Sequence, residues 1–154
     1  MAIKGDRQVD AVEIGYFLNE AAEKGSVLVV STAGSGVALD NNKSVATVAT
    51  SASGNRPLGI LLNEFVNVDR TRQPINWHKD QSASGDKATI LTKGWVVTNK
   101  VLGTITAGYL AYAAESGNLR ASALTPTNTS NQPVVGRFRT SADEAGYAKV
   151  YIDL

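Results

Sequence analysis

The residues that could do chemistry are few and scattered. His78 is the only histidine in the 154 residues, so a Ser–His–Asp mechanism would have to run through it. It sits in Asn76-Trp77-His78-Lys79-Asp80, and the chain has no Gly-x-Ser-x-Gly nucleophile elbow. A lone histidine in a polar segment reads as a surface or interface residue, and no catalytic residue is expected. There is no cysteine, which leaves carboxylates as the main metal ligands, suited to a hard ion such as calcium. Asp40-Asn41-Asn42 and Asp143-Glu144 are the nearest acidic clusters. Neither has EF-hand spacing, and both read as turn residues. No metal and no cofactor is expected. Gly34-Ser35-Gly36 lacks the full Gly-x-Gly-x-x-Gly pattern and precedes a strand-like run, so it reads as a hairpin turn.

The aromatic residues carry more promise. Trp77, Trp95, Tyr109, Tyr112, Tyr147 and Tyr151 suit either core packing or a platform for a sugar or a protein. Core packing is the expectation for Trp95 and most tyrosines. Trp77 stands near Pro74 and Ile75 in a polar stretch, the setting of an interface anchor. Charge narrows the partners. Fifteen Lys and Arg stand against 14 Asp and Glu, with no basic block along the chain. Binding through phosphates needs a concentrated positive face, so no nucleic-acid partner is expected. No apolar run is long enough to span a bilayer and the first residues lack a signal-peptide core, so no membrane partner is expected and synthesis is placed in a cytoplasm.

The elements that position these residues are mostly short strands. Hydrophobic residues make up 43% and charged residues 19%, a composition that folds around a core. Fourteen glycines favour tight connections. Residues 1–24 form a separate N-terminal part, an arm or a short helix. Ile14, Phe17, Leu18, Ala21 and Ala22 follow one helical face, Asp10 with Glu13 resembles a cap, and Gly15 weakens the helix. The alternative is an extended arm. From Gly25 to Leu154 the pattern predicts a β-rich domain. Strands are expected at 26–30, 37–39, 45–50 and from Pro57 onward, with a long irregular segment over 69–86. A hairpin bending near Gly94 is expected over 86–98, and an alternating, half-buried strand at the end.

The second half echoes the first. Ala107-Gly108-Tyr109-Leu110-Ala111-Tyr112 matches Lys24-Gly25-Ser26-Val27-Leu28-Val29. Gly117 matches Gly36, and Pro133-Val134-Val135-Gly136 matches Pro57-Leu58-Gly59 with one extra residue. Two similar hairpins in one domain, or a true duplication, would both give this pattern.

The ordered set Val27–Val30, Gly34–Gly36, Arg56-Pro57-Leu58-Gly59-Ile60, Thr92-Lys93-Gly94-Trp95-Val96, Gly103 to Leu110, Gly117-Asn118-Leu119-Arg120 and Pro133 to Arg137 resembles the capsid decoration, or cement, proteins of tailed bacteriophages. The resemblance implies a mainly β fold, a small β-barrel or tulip-like domain. It implies a structural, non-enzymatic homotrimer on the outside of a virion capsid, made in the host cytoplasm. Its partner would be the major capsid protein, whose neighbouring copies it clamps. Residues 1–24 and 69–84 fall outside the matched pieces, so capsid contacts are expected from Ile3, Arg7, Val9 and Val12 in the arm and from Trp77 and His78. A carbohydrate-binding or host-adhesion β module of a virion is the rival reading, through exposed aromatics.

Overall fold

The structure, a computed structural model, describes residues 3–31, 44–50, 56–62, 67–69, 77–79, 81–121 and 133–154. The expected Gly34–Gly36 turn and the returning strand at 37–39 lie outside them. The described strands are β1 (Ile3–Leu18), β2 (Ala22–Glu23), β3 (Val27–Val30), β4 (Val45–Val48), β5 (Pro57–Leu61), β6 (Asn67–Asp69), β7 (Trp77–Lys79), β8 (Gln81–Ser82), β9 (Lys87–Thr98), β10 (Val101–Leu102), β11 (Leu110–Ala113), β12 (Leu119–Arg120), β13 (Val134–Phe138) and β14 (Ala148–Asp153). Ten of them form one sheet in the order β1-β4-β3-β5-β9-β14-β13-β11-β12-β10. Because β1 also pairs with β9, the sheet partly closes in a ring. β2 with β8 and β6 with β7 make two small ribbons, so part of the irregular stretch after residue 69 is strand.

β9 is the spine, one continuous strand rather than the expected hairpin. Its near edge pairs with β1 from Lys87 to Thr98. Its far edge pairs first with β5, at Ile90 and Leu91, and then with β14, from Lys93 to Thr98. The change of partner falls beside Gly94, where the sequence predicts a bend. Gly94 has φ +136, and a β-carbon there would collide with the backbone carbonyl oxygen of Gln8. The glycine admits β1 closely and does not reverse the chain.

The internal echo is structural. β3 lies between β4 and β5, and β11 lies between β12 and β13. Gly25 and Gly108 have φ 86 and 87. The Gly25 N–H donates to the Leu61 carbonyl at 2.9 Å, and the Gly108 N–H donates to that of Phe138 at 2.8 Å. The N–H groups of Leu61 and Phe138 return bonds to the carbonyls of Ser26 and Tyr109 at 3.0 and 2.9 Å. Leu28 faces Gly59, Ala111 faces Gly136, and each pair is followed by a register shift. Both strand glycines face a carbonyl of the next strand, that of Leu91 for Gly59 and that of Tyr151 for Gly136, which a β-carbon would strike. Two four-strand units, β4-β3-β5-β9 and β12-β11-β13-β14, therefore meet along β9 and β14.

Burial explains the apolar runs. Val27 and Val29 belong to the larger core cluster with Ile60, Leu62, Leu91, Val96, Phe138, Val150 and Ile152. Leu28 and Leu61 turn to the other side and join Leu18, Ala22, Ala46, Ala88 and Ile90. Strands covered on both faces read as unbroken hydrophobic stretches, whereas β14, with one face covered, alternates as expected.

The N-terminal helix is not formed. Residues 3–18 are extended, which agrees with the arm alternative and overturns the helical face. Ile14 is exposed, while Leu18 and Ala22 are buried in the smaller cluster. Val9, Val12 and Ile14 are β-branched, and the Glu13 carboxylate accepts the Gly15 N–H at 2.6 Å instead of capping a helix. The open edge of β9 supplies ladder bonds that outweigh a weak helical preference containing a glycine.

Candidate functional site: an exposed edge strand

β1 is held at its ends and bare in its middle. Ile3 is 6% exposed and Leu18 fully buried. Each end inserts a large aliphatic side chain into a core, worth about 2 kcal/mol apiece. Between them, every residue from Gln8 to Gly15 is exposed. The strand lies on β9 as a ribbon. Only Phe17 and Leu18 reach a second strand, β4. From Gln8 to Tyr16 the far edge of β1 has no paired strand among the described residues.

Such an edge invites added strands. Asp10 and Glu13 place charge along it, and four register shifts against β9 break its flatness. Both are known protections against indiscriminate pairing. The exposed apolar side chains Val9 (43%), Val12 (43%) and Ile14 (59%) remain on offer.

Side-chain bonds secure the start of the ribbon. The Lys4 ammonium contacts the Asp143 carboxylate at 3.0 Å and lies 4.2 Å from the centre of the Tyr147 ring. Asp143 also accepts the N–H groups of Tyr147 at 2.7 Å and Ala145 at 3.0 Å. The Tyr147 bond above all, then Lys4, holds the Asp143 carboxyl below the usual carboxylate range. Further along, the Trp95 indole N–H donates to the Gln8 side chain at 2.9 Å.

The residues expected to touch a partner are thus separated. Val9 and Val12 lie on the exposed ribbon, joined by Ile14, which helical periodicity had assigned to a packed face. Arg7 is half-buried opposite Val96. Ile3 anchors the core. Trp77 and His78 lie in β7, in register with Asp69 and Val68 of β6. Trp95 is not a core residue: it is half-buried on the face away from Val96, with the Lys149 ammonium 3.3 Å from its ring centre. Among the described residues no three His, Asp or Glu side chains come together in a metal-sized group.

Compared with known families, residues 4–153 match the model of a family described as structural cement protein (E217 gp24/Pam3 gp6). No curated protein matches the chain.

Proposed function

The chain belongs to the structural cement protein family of phages, and on that premise we propose that it binds the outside of a capsid and clamps neighbouring major capsid proteins. The exposed edge of β1, with Val9, Val12 and Ile14, is the observation that carries this reading. A shell loaded from within fails by separation of its subunits. A protein that buries surface on two neighbours stabilises only the joined state, through binding linkage, and needs no catalytic group. An edge strand can accept a strand from a partner, with ladder bonds for affinity and apolar side chains for register. The β7 pair Trp77 and His78 is a second candidate contact, and a homotrimer is the working form.

Sedimentation with assembled capsids tests the proposal. The wild-type protein is expected to pellet with shells. Val12→Lys with Ile14→Lys should keep the fold, because both side chains are exposed, and should weaken capsid binding by about tenfold. Undiminished binding by this double variant would remove β1 from the contact. A wild-type protein that stays in the supernatant would defeat the capsid reading. Light scattering that gives a monomer at micromolar concentration would defeat the trimer.

A further inference from the structure

The outer face of β9, β14 and β13 carries a second feature. Across five strands, Gln8, Trp95, Tyr151, Arg137 and Leu110 stand in one register row. Cross-strand neighbours share a face, and this one is opposite the core residues Val96, Val150 and Phe138. On it the Lys149 ammonium lies 3.3 Å from the Trp95 ring centre, and the Arg139 guanidinium 5.0 Å from that of Tyr151. Arg137 donates to the Gly108 carbonyl at 3.1 Å, and Lys93 pairs with Asp153 at 3.6 Å.

The charge is unbalanced. Of the four cations only Lys93 has a carboxylate within ion-pair distance among the described residues. Asp10 accepts a hydrogen bond from the Gln8 side chain at the β1 end of the row, and Asp143 is paired with Lys4. The whole chain carries a net charge of +1, so the excess here is a matter of placement. Cations set on aromatic rings keep their ordered position and their charge. Exposed guanidiniums beside half-buried aromatics are also the composition of protein contact sites.

We infer that this face docks onto an acidic, carboxylate-bearing surface of a protein partner. The inference rests on the cement reading for the partner's location, but not for its chemistry. Charge complementarity selects the occupant, since Arg137 and Arg139 present forks for carboxylates. The row starts on β1, so this face continues into the exposed edge.

Two arms test it, both with the full chain. In the first, poly-L-glutamate and a DNA duplex serve as probes in low salt. Wild-type protein should bind poly-L-glutamate, and Arg137→Glu with Arg139→Glu should weaken this by about tenfold or more. The milder pair Arg137→Gln and Arg139→Gln, with an unchanged melting curve, covers a folding defect in the first. Equal poly-L-glutamate binding by wild type and both variants overturns the inference. So does tighter binding of DNA than of poly-L-glutamate, which would make the face a polyanion site. In the second arm, capsid sedimentation is followed against salt. Wild-type binding should fall as salt rises, and the variants should bind weakly throughout. If the shells retain the variants as they do wild type, the inference fails and the cement reading stands. If the shells retain no wild-type protein, the cement reading fails and the first arm still decides the face.

Discussion

At the scale of single residues, Gly94 and Asp143 carry the sharpest expectations. Gly94 combines φ +136 with a carbonyl oxygen where a β-carbon would sit. Gly94→Ala should therefore lose about 2 kcal/mol or more through backbone strain and the parting of β1 from β9. A fall in melting temperature of about 4 to 8 °C is expected for a chain of this size. Amide exchange should quicken along Arg7 to Ala11, opposite the substitution. Asp143 acts through pH. Its carboxyl is held below the ordinary value of 3.8 by the Tyr147 N–H and Lys4, so the folded state favours the ionised form. The contribution is fully present above the unfolded value and is lost as pH falls through the lower folded value. Protection of the Ala145 and Tyr147 amides, measured against their intrinsic exchange rates, should hold at neutral pH and be lost only in strong acid. Asp143→Asn should remove that dependence and loosen the Lys4 end of β1. Neither role was legible in the sequence, where Gly94 looked like a bend and Asp143 like an ordinary turn acid. Gly94 depends on Gln8, far off in the chain, and Asp143 joins a nearby partner, the Tyr147 N–H, to a distant one, Lys4.

At the scale of elements, legibility followed locality. The run Val27-Leu28-Val29-Val30 named its strand because both faces are covered, and the final strand named itself by alternation. The repeat was readable because glycines mark the same places in both units. Gly25 and Gly108 take one backbone conformation, and Gly59 and Gly136 allow the next strand to approach. If the units are equivalent, their glycines should fail alike. Gly59→Ala and Gly136→Ala should each lower the melting temperature, with Gly59→Ala the worse because its φ is +144 as well. A loss of stability at one glycine with none at the other would refute the equivalence. β1 was misjudged for a reason of the same kind. Its middle is exposed on both faces, so no burial pattern is written into it. Its apolar residues then fell on a helical spacing by accident, and only the waiting edge of β9 decides the matter. On the exposed edge, Val9 and Val12 stood among the expected contacts, whereas the helical spacing put Ile14 on a packed face. The basic face was missed because Lys93, Lys149 and Arg137 lie on three strands, with Arg139 just past the third, and they come together only by register.

At the scale of the whole molecule, cementing differs from binding. A protein that grips one capsid subunit adds nothing to the junction between two. Stabilisation requires that separate surfaces engage separate subunits, and here the exposed edge of β1 and the basic face of β9, β14 and β13 run into each other without a break. The two surfaces can then be uncoupled. With wild-type protein, the temperature at which capsids rupture should keep rising with protein concentration even after the sites are full, since each site contributes about 2.7 kcal/mol to the intact shell at a hundred times its dissociation constant and about 4.1 kcal/mol at a thousand times. Arg137→Glu with Arg139→Glu keeps the β1 edge, and Val12→Lys with Ile14→Lys keeps the basic face. Each pair, added at concentrations that restore full occupancy, should cover the shell and yet raise its rupture temperature far less than wild type does. Calorimetry of capsids at measured occupancy separates the cases. A variant that protects as well as wild type at equal occupancy would show that its altered surface belongs to attachment alone and takes no part in the clamp.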